Sequence, residues 1–367
     1  MKKVGLIVNP IAGMGGSVGL KGTDGDIYKL ALKMGAIPIA PSRMKQFFTN
    51  LRHQESLNFL VAPGKMGEDL IKNYGYKFEV IGEIGIETTS EDTIRIAKIM
   101  LKKKIELLIF CGGDGTARDI YDAIDMKKPV IAIPSGVKMF SSVFTLNPRA
   151  ATQLLKDFLI KNIDTEEREV LDINEDSFRQ GRLDSKLYGF LKVPKIQNLI
   201  QSSKDSSIIG SSVEENKQEI ALDVIEKMKD DTLYLFGPGT TVKSITDQLR
   251  LKKTLLGVDA VYNKELIGVD LNEKAILKLL EKYGKVKIVV TPIGGQGFIF
   301  GRGNKQFTSS LIKSVGKENI IIISTKEKIR NLECLRVDTG DSEIDNLLKG
   351  FVKVTTGYKE ELIKKVE

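Results

Sequence analysis

Gly112-Gly113-Asp114-Gly115-Thr116 directly follows the apolar run Ile105 to Cys111 and opens a helix-like stretch, Ala117 to Met126. Glycines let backbone approach a ligand without interference from a Cβ, and the first-turn N–H groups of a helix attract anions, so a strand-to-helix turn of this composition suits phosphate. An acid inside such a cradle is out of place. Phosphate repels it unless a metal ion bridges the two, or unless the acid takes a proton from an attacking hydroxyl during phosphoryl transfer. The plainer alternative is an Asp that only caps the helix.

Three further polar or glycine-rich segments follow apolar runs that read as strands. Asn9-Pro10-Ile11-Ala12-Gly13-Met14-Gly15-Gly16 follows Val4 to Val8, and Gly237-Pro238-Gly239-Thr240-Thr241 follows Thr232 to Phe236. Pro292-Ile293-Gly294-Gly295-Gln296-Gly297 follows Ile288 to Val290 and continues through Gly301-Arg302-Gly303-Asn304. In open α/β sheets ligands sit beyond the carboxyl ends of the strands, so several such loops can line one crevice. A Walker A pattern and a dinucleotide fingerprint with a well-placed ribose acid are both missing, which disfavours P-loop ATPases and ordinary dehydrogenases.

The Gly-Gly-Asp-Gly-Thr run after a buried strand, together with the Asn-Pro-x-x-Gly start at Asn9 to Gly13, resembles the NAD kinase family and its relatives, the diacylglycerol-type lipid kinases and the AcoX-like proteins. The resemblance implies that Asp114 is the general base. It also implies that Asn9, Gly13, Gly112, Gly113, Gly115 and Thr116 bind nucleotide and phosphate. Gly237, Gly239, Thr240 and Thr241 are a loose counterpart of the family's Thr-Pro-Thr-Gly-Ser-Thr segment and are expected to hold phosphate. Asn174 and Glu175, in Leu171-Asp172-Ile173-Asn174-Glu175, match the Asn-Glu with which the family holds a ribose and adenine. Lys138 replaces the asparagine of typical NAD kinases, and a lysine there favours an extra negative charge on a ligand. The later loops, Thr291 to Asn304 included, resemble the AcoX-like and archaeal-type branch more closely.

By that resemblance the expected activity is phosphoryl transfer from ATP to a hydroxyl, the 2'-hydroxyl of NAD first among acceptors, with Mg2+ held mainly by the nucleotide phosphates. A lipid or other small-alcohol kinase on the same scaffold is the alternative; a nucleotide-binding sensor without catalysis is another. The sequence leaves the choice of ATP or polyphosphate, and a homo-oligomeric state, open.

The chain has 367 residues, 41% hydrophobic and 28% charged, which suits one or two globular domains with ample core. The expected fold is an N-terminal α/β domain with a parallel sheet, residues 1–150, and a second domain rich in strands and mixed α/β, residues 151–367, with the active site in the cleft between them. The C-terminal segment is allowed to pack back on the first domain. Alternation of short apolar runs with amphipathic stretches supports the parallel sheet. The best helix is Ser90 to Lys104, acidic at its start and basic at its end. Ile37 to Ala40 reads as a strand. A boundary is placed near Pro148 to Thr165, after which Glu169 to Ile173 and Leu187 to Val193 read as strands around a turn at Arg179 to Arg182. Gln201 to Glu215, rich in serine, reads as a mobile loop, either a plain linker or an active-site lid.

Net charge is +8, but the lysines are scattered and form no long block, so a nucleic-acid partner is not expected. Two cysteines, Cys111 and Cys334, are too few for a disulfide framework or zinc site, and a cytoplasmic location fits them. The apolar run after Met1-Lys2-Lys3 ends at Asn9-Pro10, shorter than a secretory core, and no membrane span is expected. His53 is the one histidine, which argues against histidine triads and histidine metal sites.

Overall fold

Four hydrophobic runs of five to seven residues and a short, largely exposed edge strand make the first sheet. In the computed structural model these are β1 (Lys2–Val8), β2 (Leu57–Val61), β3 (Lys77–Val80), β4 (Leu107–Gly112) and β5 (Val130–Pro134). The structure describes residues 2–20, 26–51, 57–136, 139–161, 163–173, 185–195, 200 and 211–367. All pairings in this sheet are parallel, in the order β3-β2-β1-β4-β5. Every residue of β4 and β5 is buried, as expected for strands covered on both faces. From β1 the chain winds outward through β2 and β3; it returns at β4 and winds the other way to β5. The reversal lies between β1 and β4, and crevices at such points are where open sheets bind ligands.

The chain divides into two compact units, one of Met1–Met14 with Gly22–Ser203, the other of Gly15–Lys21 with Lys204–Glu367. The expected boundary near Pro148 to Thr165 therefore falls inside the first unit. The helix Pro148–Ile160, capped by the Asn147 side chain, buries Leu154 and Leu155 in the first core, and the antiparallel hairpin of β6 (Thr165–Ile173) and β7 (Ser185–Pro194) adds Val170, Leu191 and Val193 to it. Ile37 to Ala40 is not a strand. A helix, Ala40–Leu51, starts there with Pro41 in its first turn, where the missing N–H costs nothing, and it buries Met44, Phe47, Phe48 and Leu51.

The second unit is a seven-stranded mixed sheet. Its strands are β8 (Leu233–Phe236), β9 (Asp259–Tyr262), β10 (Glu265–Gly268), β11 (Val286–Val290), β13 (Ile320–Ile323), β15 (Gly350–Gly357) and β16 (Glu360–Val366), while β12 (Phe298–Phe300) and β14 (Arg336–Val337) pair separately. The order is β10-β9-β8-β11-β13-β15-β16; β8, β11, β13 and β15 are parallel, with an antiparallel hairpin on either edge. Side-chain alternation splits its core in two. Leu233, Leu235, Ile288, Val290 and Ile322 face one cluster, and Tyr234, Phe236, Val289 and Ile323 face the other. The C-terminal strands β15 and β16 belong to this sheet. Residues 211–215, read from sequence as loop, begin the helix Ser211–Lys227. The described residues contain no helix long and apolar enough to cross a membrane.

Candidate functional site

The register of β1 with β4 pairs Val8 with Cys111 and so sets Asn9 beside Gly112. The Asn9 amide donates to the Cys111 carbonyl at 2.9 Å, its Nδ2 donates to Thr116 Oγ1 at 3.0 Å, and its Oδ1 accepts from the Ile11 N–H at 3.2 Å. Asn9 thereby clamps the end of β1 to the first turn of the helix Asp114–Ile124. A Cβ on Gly112 would lie 2.4 Å from both Cβ and Oγ1 of Thr116, so this glycine is required by packing. Gly115 differs: the nearest atom to its Cβ would be Arg118 Nη2 at 3.7 Å, which leaves its backbone approachable. Gly13 needs its left-handed φ of 82°.

Asp114 is the first residue of that helix, and Gly113, the residue before it, supplies no side-chain cap. The Asp114 carboxylate accepts the Phe140 N–H at 2.7 Å and the Ser141 N–H at 2.9 Å. Both donors lie on a distant loop, so a simple helix cap does not describe these bonds. The loop is itself fixed: Ser141 Oγ accepts the Leu171 N–H and Ser142 Oγ the Glu169 N–H, each at 2.9 Å. The acid, the loop and β6 form one hydrogen-bonded chain.

The hairpin is also docked on the helix through side chains. Arg118 pairs with Asp172 and lies over the Tyr188 ring at 5.9 Å, while the Tyr188 hydroxyl donates to Asp122. Tyr121 fills the space where Gly189 lacks a side chain; a Cβ there would sit 2.4 Å from the ring. Asp172 precedes the expected ribose-binding pair by two residues. Asn174, Glu175, Lys138, His53 and the turn at Arg179 to Arg182 lie outside the described residues.

An acid at the N-terminus of a helix, at the point where the winding reverses and beside an Asn-Pro turn, is the arrangement that sequence comparison can test. Residues 4–163 match the ATP-NAD kinase N-terminal domain, and residues 229–366 match the ATP-NAD kinase C-terminal domain. The chain belongs to the ATP-NAD kinase family. No curated protein is significantly similar to it. Among solved structures, a candidate diacylglycerol kinase from Bacillus anthracis str. Sterne is 17% identical over 47% of this chain and 46% of its own, with a TM-score of 0.25. A diacylglycerol kinase from the same organism has the same identity and coverage and a TM-score of 0.22. The chain thus spans about half the length of these two, and likenesses at such scores carry no argument.

In this ATP-NAD kinase family member the second predicted phosphate loop, Gly237 to Thr241, lies in the second unit, after β8. Gly239 has a φ of 115° and precedes the helix Thr240–Gln248 without capping it by a side chain. Its absent Cβ would meet Thr291 Cγ2 at 2.8 Å, so this loop abuts the end of β11. Thr240 and Thr241 form the first turn, and the Thr241 carbonyl accepts Ser244 Oγ at 2.8 Å. The glycine-rich segment after β11 is packed down by Arg302, a buried residue whose guanidinium lies 4.4 Å over Phe298 and donates to Gln296 Oε1 at 3.2 Å. A Cβ on Gly301 would sit 1.9 Å from the Asp338 carbonyl oxygen, so here too glycine serves packing.

Sequence reading missed two residues at this end of the second sheet. The Thr291 hydroxyl is enclosed without a partner. Lys328, on the helix Lys326–Arg330 after β13, donates to the Pro292 carbonyl. Burial pushes its amine down to about 8, with the nearby charge of Lys217 as a second cause. Nothing in Lys326-Glu327-Lys328 marks it in the sequence; only packing distinguishes it from a solvated lysine. Two surface hollows of the first unit, of about 360 and 420 Å3, are lined by other residues, among them Arg95 and Lys98 in one and Asn50 and Lys156 in the other.

Proposed function

We propose that this protein is an ATP-dependent kinase that phosphorylates a small-molecule hydroxyl, the 2'-hydroxyl of NAD being the acceptor that family membership favours. The observation that carries the reading is Asp114: a carboxylate at the uncapped N-terminus of a helix, held by the Phe140 and Ser141 amides at the reversal between β1 and β4. The ATP phosphates lie over Gly112 to Thr116 and meet the helix N–H groups, with Gly115 giving the closest approach to backbone. Asn9 and Thr116 fix the turn and Gly13 shapes the adjoining loop. Asp114 accepts the proton of the attacking hydroxyl, held at a fixed angle by its two amide donors, so that positioning supplies much of the rate.

In this reading Mg2+ would be held mainly by the nucleotide phosphate oxygens. The ion would neutralise phosphate charge. Asn174 and Glu175 hold the acceptor ribose in this reading, Lys138 meets an extra acceptor charge, and Gly237, Gly239, Thr240 and Thr241 hold phosphate. Both cysteines are buried, and two so far apart in sequence fit a reducing, cytoplasmic setting. The test is a screen of labelled phosphate transfer from ATP to NAD, NADH, nucleosides, polyols and lipids. Label in NAD, as NADP, is expected. Label in a polyol or lipid with NAD ignored would overturn the acceptor, and no transfer to any hydroxyl would overturn the kinase.

A further inference from the structure

We infer that Lys253 and Asp259, an ion pair sealed inside the second unit, are positioning residues for the turn Gly237 to Thr241 and act on it through the loop that joins them. The inference rests on the reading of that turn as a holder of phosphate; the pair itself touches no ligand. The register of β8 with β9 sets Asp259 opposite Phe236, so the pair lies at the carboxyl end of β8, where the turn begins. Both side chains are 0% exposed, with Nζ 3.1 Å from Oδ2. An ion pair so deep gives up the hydration of two charges, and well-packed apolar side chains would serve stability about as well. What the pair supplies is geometry.

Every polar group of the pair is used to shape residues 254–257. The Lys253 ammonium donates to the Thr254 carbonyl at 2.7 Å and to the Gly257 carbonyl at 3.2 Å besides facing Asp259, which occupies its three N–H groups. Asp259 Oδ2 accepts the Thr254 N–H at 3.1 Å and the Thr254 hydroxyl at 2.8 Å, and Oδ1 accepts the Asp270 N–H at 2.8 Å. Thr254 Oγ1 in turn accepts the Gly257 N–H at 3.1 Å, so the loop is stitched at both ends. Burial pulls the Lys253 amine below its ordinary value, and Asp259 opposes that pull.

Between those ends the Leu255 carbonyl accepts the Gly239 N–H at 2.9 Å, while the Gly237 N–H goes the other way, to the Val289 carbonyl of β11, also at 2.9 Å. The turn hangs between a strand and this loop. Gly239, at a φ of 115°, leads straight into the helix Thr240–Gln248. A shift of Leu255 would rotate the peptide that carries the Gly239 N–H and with it the first N–H groups of the helix, which are the groups that meet an anion.

The test is calorimetric titration of the full chain with ATP and, separately, with NAD. Thr240→Pro removes one helix N–H at the first helical position, where proline is tolerated, and the ligand it weakens is the one whose phosphate meets the turn. Lys253→Met should weaken that ligand by ~10-fold, about the worth of one charge-assisted hydrogen bond, and leave the other near wild type. Its midpoint of chemical denaturation should also fall, because Asp259 is left buried without its counter-charge. The double variant Lys253→Met with Asp259→Asn separates the two effects. Its midpoint should recover toward wild type while the affinity for that ligand stays ~10-fold low and, in turnover, the KM for it rises with kcat little changed. Recovery of both overturns the inference, since the pair would then serve folding alone, and so does an equal loss for both ligands. If wild type binds neither ligand, or Thr240→Pro weakens neither, the phosphate reading of the turn falls and the inference with it. If Thr240→Pro weakens one that the double variant binds normally, only the inference falls. Should neither Lys253 variant fold, Thr254→Val, which removes the hydroxyl bonds to Asp259 and Gly257 and keeps the pair, decides by a ~3-fold loss for that ligand or by none.

Discussion

The turn after β4 and the turn after β8 are built alike and charged oppositely. Each follows a fully buried strand, is rich in glycine, carries threonine, and opens a helix with no side-chain cap. In the first, the ionisable side chain is Asp114, tied down by two backbone amides. In the second, no acid is present in Gly237 to Thr241, and beyond the adjacent strand β11 the Lys328 ammonium donates to the Pro292 carbonyl. An acid in an anion cradle can move a proton but cannot attract phosphate; a cation can hold phosphate but, while charged, cannot accept a proton. The glycines do not tell the two apart, because Gly112 and Gly239 are both demanded by local packing or φ. The sheets differ as well. The winding of the first sheet reverses between strands that are all parallel, whereas in the second the chain leaves β8 through the antiparallel β9 and β10 before it returns to β11.

That comparison can be broken at its glycines. Gly112→Val would drive a branched side chain into Thr116, which is itself β-branched and buried, and should cost roughly 3 kcal/mol of stability, read from chemical denaturation. A fully stable variant would show that the turn is looser than described. Gly115→Ala should do the opposite on stability, raising it by ~0.5–1 kcal/mol since its Cβ meets only Arg118 Nη2 at an ordinary contact distance of 3.7 Å, yet it should weaken ATP binding where backbone and phosphate meet. Unchanged ATP affinity would mean that phosphate does not approach there.

The cationic turn has a pH signature. The Lys328 amine is pushed down to about 8 from 10.5, so between those values the unfolded chain binds more protons than the folded one at this site. Its contribution to stability therefore rises with pH through that window and is least favourable below pH 8. Lys328→Met should be more stable than wild type at pH 7, and the difference should shrink by pH 10; a difference independent of pH would place the lysine in water.

Much of this was legible in the sequence. The βα alternation and the Gly-Gly-Asp-Gly-Thr turn are local signals: apolar runs of strand length, glycine punctuation and an acid at a helix start. Asn9 was legible as a motif residue, though not the bond to Thr116 that makes it a clamp. Ile37 to Ala40 misled because a short apolar stretch cannot be told from a helix entrance, and Ile37 is in fact 76% exposed. The domain boundary misled for a related reason. The hairpin of β6 and β7 looks like the start of a strand-rich domain, but Ser141, Ser142 and Tyr121 bind it to the first unit, and such contacts have no sequence period. Lys328 was invisible for the same cause, and Thr291 was legible only as the edge of a glycine-rich segment.

The most direct test is the single-turnover rate of phosphate transfer at saturating ATP by Asp114→Asn. If the acid accepts the hydroxyl proton, the rate falls by ~10² to 10⁴ while ATP affinity stays near wild type. An unchanged rate, or a loss of ATP binding in place of a loss of rate, would contradict the assignment of proton chemistry to the first turn.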